Sequence, residues 1–319
     1  MKYFSYEIDK LPLIKIEINP SFIVTLSPLG ASIVSVVFNN KEMILSPKEM
    51  KDYLRKDIYY GKTIGPICGR IKDGIIDIDN KKYQIDINEG NNSLHGGNLF
   101  PISNLFFNTS FKDNKVIFSL LCPNMQNGLP GDINYQIIYS FDENENNINL
   151  SYEVRTNMNT VIALTNHAFF HLGDPSINKL KLMIPASKFI EVDKLDMIPL
   201  KEKEILPCLD YQNEKLIIKD INDPYLKEAK TNGYDHLYKF DNKKYAILEN
   251  DSYLLKIETD FDGILLYSDN YIDNVKTTMS DKSKARAVAL EPQDCQLNRK
   301  ILTPNEIYKR FISYKFHQK

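Results

Sequence analysis

The sequence predicts an all-β protein, a large antiparallel β-sandwich. Three observations carry that reading. Short runs alternating apolar and polar residues recur along the chain, polar turns separate them at regular intervals, and helical patterning is confined to two short stretches. No internal repeat, low-complexity linker or composition break divides the sequence, so one domain spanning 1–319 is expected.

Taken in order, LIKIEI at 13–18 alternates as a half-buried strand. FIVTL at 22–26 and SIVSVVF at 32–38 are apolar nearly throughout, as are VIFSLL at 116–121, GILLYS at 263–268 and AVALE at 287–291. Such runs suit strands covered on both faces. SPKEMKDYLRKD at 46–57 predicts a short helix, with Ser46 as cap and Pro47 at the first position. IIDIDNKKYQIDI at 75–87 reads as a hairpin turning about Asn80-Lys81. NINLSYEV at 147–154 and KLKLMI at 179–184 alternate again. Two further runs within 245–259 break at Glu249-Asn250-Asp251. TPNEIYKR at 303–310 predicts a second short helix.

Charge excludes some classes of function. Forty basic and 42 acidic residues leave a net charge of −2, with no basic patch or tail to attract nucleic acid or an anionic membrane. The N-terminus has no signal-peptide pattern, and no run of about 18 apolar residues occurs, so a cytoplasmic protein is expected. Cys68, Cys122, Cys208 and Cys295 are scattered without a CxxC, which predicts four reduced thiols rather than a disulfide or zinc framework.

Familiar catalytic motifs are missing. Gly61-Lys62-Thr63 resembles the end of a phosphate loop, but Lys56 stands where that loop needs glycine, and no GxSxG, GxGxxG or HExxH occurs. His167 and His171 are four apart in HAFFH, without the glutamate of a zinc protease or a third ligand, so no metal site is expected. Five residues stand out from their surroundings. His95 sits in the polar, glycine-rich NNSLHGG. His167 sits among apolar neighbours, where a hydrogen-bonded core histidine is the plainer reading. Glu291 ends an apolar strand, a position at which a carboxylate is either paired or working. Asp235 lies between Tyr234 and His236, and Arg70 ends GPICGR. A buried ion pair of Arg70 with Asp235 or Glu291 would account for all three charges without any function. His236 is expected on the opposite face from Asp235, and His171 and His317 in structural or surface roles.

Taken together, LGASIVSV (29–36), GPICGRIKDG (65–74), NEGNNSLHGG (88–97), LTNHAFFHLG (164–173), GYDHLYKF (233–240), GILLYSDNY (263–271) and ALEPQ (289–293) resemble the aldose 1-epimerase (galactose mutarotase) family. The resemblance covers nearly the whole chain, and the N-x-LHGG and TNH segments are its most specific parts. It implies the supersandwich, or galactose-mutarotase-like, fold. It implies interconversion of the α and β anomers of a free hexose such as galactose or glucose, with Glu291 as general base and His167 as general acid. It implies that Arg70, His95 and Asp235 hold the sugar, that no cofactor is needed, and that the protein is a monomer or homodimer whose partner is a monosaccharide. The reaction suits these groups: one must take the proton of the C1 hydroxyl while another protonates the ring oxygen. Asp235 or another nearby carboxylate is expected to offset the desolvation of His167.

Departures from the family pattern bear on sugar contacts. Pro66 stands where the family often has a first arginine, Gly69 precedes Arg70 in place of asparagine, and Leu265 occupies a common glutamine position. Asp294-Cys295-Gln296-Leu297-Asn298 replaces the usual segment after the base. Two alternatives remain open at this level. One is a hexose-6-phosphate 1-epimerase, which would need further arginines for the phosphate. The other is a non-catalytic carbohydrate-binding protein of the same fold, which would have no use for an acid–base pair.

Overall fold

The computed structural model describes residues 1–319 apart from 229, 231, 272, 279–284 and 298. The described residues form a β-sandwich whose one α-helix is the single turn Pro224–Glu228. One wall is a nine-stranded antiparallel sheet with Tyr308–Gln318 at its centre, flanked by Asn147–Thr156 on one side and Tyr253–Thr259 on the other. The opposing layer consists of two sheets. A five-stranded meander runs from Lys2–Ile8 to Lys41–Glu42. A six-stranded sheet is ordered Phe169–Phe170, Val288–Gln293, Gly263–Tyr267, Asp235–Lys239, Lys188–Val192, Pro199–Glu204. Ile44 bridges to Phe170 and Leu45 N–H donates to Phe169 O, which joins those two sheets edge to edge.

Aromatic side chains tie the layers together. Phe316 of the central strand packs on Phe22, with ring centroids 5.6 Å apart, and Tyr314 packs on Phe170 at 5.3 Å. Alternation sends Ile312, Tyr314 and Phe316 inward together, and all three are buried. Most of the buried apolar side chains join one continuous core between the walls.

Four local expectations need correction. The 46–57 segment forms only a 3₁₀ turn at Met50–Leu54. Ser46 does not cap it, because its buried hydroxyl donates to Val34 O, and Pro47 is held in a bridge to Thr277. The second predicted helix is also absent: Glu306 closes a turn on Thr303, and pairing with Asn147–Thr156 then draws the chain into strand from Tyr308 onward. The strand containing VIFSLL is covered on one face only, since Leu121 is exposed. The 75–87 hairpin turns one residue earlier than expected, at Asp79 and Asn80, both left-handed at φ 51° and 62°. By contrast, Val288–Gln293 is buried throughout, in keeping with its apolar run.

Candidate active site

The six-stranded sheet turns one face to the core and the other to a cleft of about 400 Å³, within the size range that holds a small ligand. The period of two decides which residues reach it. Along Val288–Gln293, Leu290 is buried in the core while Glu291 and Gln293 line the cleft. Register carries the same face across the sheet. Glu291 lies opposite Leu265, which lies opposite Leu237, and Tyr267 lies opposite Asp235. His236 points the other way and is buried between the rings of Phe189 and Tyr225, with its Nδ1 accepting the Asp235 N–H at 3.1 Å.

Two loops supply the opposite side. Arg70 pairs across Leu94, and His95 follows in the left-handed region at φ 56°. His95 N–H donates to Gly69 O at 3.0 Å, and Gly69 N–H donates back to His95 Nδ1 at 3.2 Å. A ring nitrogen that accepts a backbone N–H carries no proton. Neutral His95 is therefore fixed with its hydrogen on Nε2, as a donor. Burial, reinforced by His167 and Arg70, holds its pKa well below the ordinary imidazole value.

His167 is set in a backbone frame. Its N–H donates to Lys62 O and its carbonyl accepts Gly61 N–H, both at 2.9 Å, while Asn166 Nδ2 donates to Gly61 O at 2.8 Å. Tyr59 stacks on the ring at 5.8 Å and Phe169 packs at 4.8 Å. In this setting His167 Nε2 lies 3.3 Å from Glu291 Oε1, and both side chains are buried.

Burial drives the two groups towards their uncharged forms. It lowers His167 to about 4, and, with Asp235 adding to the effect, it raises Glu291 well above the usual carboxylate range. Groups this close titrate as a pair that shares one exchangeable proton. The carboxylate facing His167 is Glu291, one of the alternatives to Asp235 that the sequence left open, but the expected offset of desolvation by a carboxylate is not met, since burial still lowers the imidazole.

Arg70 carries the second charged cluster. It is paired neither simply with Asp235 nor with Glu291. Its Nε and Nη2 donate to the two oxygens of Glu89 at 2.6 and 3.0 Å, and Nη1 reaches Asp235 Oδ2 at 3.5 Å. Burial raises the Asp235 carboxyl, with Arg70 pulling against it.

All five predicted residues, Arg70, His95, His167, Asp235 and Glu291, line one cleft. Leu265 and Gly69 line it as well, as does Gln293, whose amide oxygen accepts from Cys68 Sγ at 3.4 Å and from Gln296 Nε2 at 2.6 Å. Pro66 is not among the lining residues, and Asn298 lies outside the described residues. His171 is buried, with Nδ1 accepting Gly173 N–H at 2.9 Å. Among the described residues no group of three His, Cys, Asp or Glu side chains could hold a metal ion, and no helix is long and apolar enough to cross a membrane. The four cysteines are free.

The sequence reading did not single out Glu89, Tyr59 or Tyr267. Glu89 looks like one more carboxylate in a polar turn. Tyr267 was within reach, because it shares the period-2 face of Leu265.

The profile of the family described as aldose 1-epimerase matches residues 12–315 of this chain. The galactose mutarotase of Bos taurus is 28% identical over 253 residues, covering 76% of this chain and 71% of its own, and that of Rattus norvegicus is 27% identical over 296 residues, covering 86% and 84%. The crystal structure of a galactose 1-epimerase from Lactobacillus acidophilus superposes with a TM-score of 0.88 at 26% identity, covering 99% of this chain and 98% of that one. An aldose epimerase homologue from C. elegans, at 22% identity and a TM-score of 0.83 over 99% of both chains, shares the fold.

Proposed function

The chain belongs to the aldose 1-epimerase family and is an isomerase of the mutarotase kind; from that premise we propose that it interconverts the α and β anomers of free hexoses, galactose and glucose among them, by acid–base opening and closure of the hemiacetal ring. One observation carries the reading: Glu291 and His167, distant in sequence, meet at 3.3 Å inside the cleft.

In this proposal a hexose binds with its C1 hydroxyl at Glu291 and its ring oxygen at His167. Glu291 takes the hydroxyl proton as His167 gives its own to the ring oxygen, and the C1–O5 bond opens to the aldehyde. Rotation about C1–C2 presents the other face, and the two transfers run in reverse to close the ring. The reactive arrangement, carboxylate and imidazolium, is the tautomer of the resting pair that burial disfavours, reached by moving the shared proton from Glu291 to His167; ring opening then returns both groups to the neutral forms that burial prefers. Positioned proton transfers of this kind contribute roughly 10²–10⁴ each in rate. Arg70 Nη1, His95 Nε2 and Asp235 are the groups we assign to the sugar hydroxyls, where the donors also steady charge developing on oxygen.

Polarimetry of freshly dissolved α-galactose tests the reading. Approach to the equilibrium rotation should be faster with the protein than in buffer alone. An unchanged rate for galactose, glucose and xylose would defeat it.

A further inference from the structure

Six carboxylates line the cleft: Asp57, Glu89, Asp235, Asp269, Asp273 and Glu291. Arg70 is the one arginine or lysine among the described lining residues. Two guanidiniums close to the lining are already engaged with carboxylates: Arg55 donates twice to Asp57, at 3.0 and 2.7 Å, and buried Arg286 donates twice to Asp269, at 2.7 and 2.9 Å. Arg299 lies behind Arg70, donating to its carbonyl oxygen at 3.1 Å, and does not line the cleft. Arg70 is engaged as well, in a two-pronged bond to Glu89 with Asp235 at its third nitrogen.

Glu89 is rigidly presented for that bond. Its N–H donates to Asn92 O at 3.0 Å and its carbonyl accepts Asn92 N–H at 2.9 Å, so the turn that carries it is closed from both sides. Lys230 Nζ stands 3.5 Å from Glu89 Oε1, outside the cleft lining. A planar guanidinium held at Nε and Nη2 has one direction left for Nη1, and a carboxylate at both prongs cancels its charge.

Resting on the proposed sugar reaction, we propose that Glu89 is a positioning and specificity residue. It aims Arg70 Nη1 at the hydroxyls of an uncharged aldose, and it removes the free cation that an aldose bearing a carboxylate or phosphate would need. The cleft thereby selects uncharged sugars over anionic ones.

The test compares galactose with galacturonate, which differ in the oxidation state and charge of C6. Polarimetry gives kcat and KM, and calorimetry gives Kd, for the wild type, Glu89→Gln and Glu89→Asp. The wild type should favour galactose at least about tenfold in kcat/KM, the size of a single-charge effect in a partly screened cleft. Glu89→Gln should shrink that ratio about fivefold or more, chiefly through the KM for galacturonate, and raising the salt from 0.02 to 0.5 M should erase much of the gain. Glu89→Asp should keep the discrimination but lower kcat/KM on galactose, because the charge stays while the fork of Arg70 is displaced.

Should Glu89→Gln fail to fold, Lys230→Met reads the same field with opposite sign and should deepen the discrimination about twofold. A wild type without discrimination, an unchanged ratio in Glu89→Gln, or a shallower ratio in Lys230→Met overturns the proposal. If no sugar is turned over, the proposed reaction fails while the ratio of calorimetric Kd values still judges Glu89; binding of neither sugar would overturn both.

Discussion

Glu291→Gln keeps the volume of the side chain and removes its ability to take a proton, and His167→Asn removes the donor at 3.3 Å from it. Each should lower the mutarotation rate by roughly 10²-fold or more. Neither should lower the thermal midpoint much, because each takes an ionisable group out of a buried position. Wild-type rates in both would refute the assignment of acid and base while leaving the family membership intact. The rate should also follow a bell in pH. Its acid limb, where the pair gains a second proton, belongs near the depressed value of His167, about 4. Its alkaline limb, where the shared proton leaves, is displaced upward from the ordinary carboxylate value of 4.5 by the burial of Glu291. A rate profile with its acid limb at the ordinary imidazole value would contradict the burial argument. At this scale the sequence was informative where a polar group interrupted apolar surroundings, as at His167 and Glu291. It was silent where a buried contact is made by a polar residue of a turn. Nothing in NEGNNSLHGG distinguishes Glu89 from a solvated carboxylate until the fold brings Arg70 against it.

The frame that holds His167 depends on the backbone at Gly61. That residue is left-handed at φ +63°, and a Cβ there would stand 1.8 Å from Ile33 O, whose own N–H donates to Gly61 O at 2.9 Å. Gly61→Ala must therefore separate the strand Ser32–Phe38 from the Gly61 turn that frames His167, at a cost of about 3 kcal/mol or more. Gly90 provides the control. It has nearly the same φ, +61°, but open space around it, so Gly90→Ala should cost only about 1–2 kcal/mol. Urea unfolding of the two variants separates crowding from backbone strain, and equal midpoints would show that the Ile33 contact yields freely. Elements of this size were legible where alternation set them, as in Leu11–Asn19 and Tyr253–Thr259. The two predicted helices failed because their polar groups had better partners elsewhere. Ser46 bonds across to Val34 O instead of capping its own segment, and a wide sheet claims Tyr308. Such partners are non-local and leave no trace in the local pattern.

On the scale of the whole molecule, the class of fold was readable because alternation and turns repeat along the entire chain. The pairing of sheet with sheet was not, since it rests on contacts such as Phe22 with Phe316 between opposite ends of the sequence. The same burial that builds this core makes stability depend on pH through two opposed sets of groups. Buried His167, His171 and His236 are each lowered from 6.5 to about 4. The unfolded chain therefore binds protons at these sites more readily, and their contribution, fully present above 6.5, is lost as pH falls towards 4. Glu42, Asp235 and Glu291 are raised by burial, so over part of the same range the folded state takes up protons first and gains stability as pH falls. The net curve is a difference, and a single substitution isolates one side of it. His236→Gln keeps an acceptor for the Asp235 N–H, now 3.1 Å from Nδ1, and removes one titrating site between the rings of Phe189 and Tyr225. The stability of the variant relative to wild type should then improve by ~2–3 kcal/mol between pH 7 and about pH 4, because each tenfold loss of proton affinity on folding is worth about 1.4 kcal/mol. Denaturant unfolding at half-unit pH steps measures that difference. A gap between variant and wild type that stays constant with pH would mean that His236 keeps an ordinary proton affinity despite its burial.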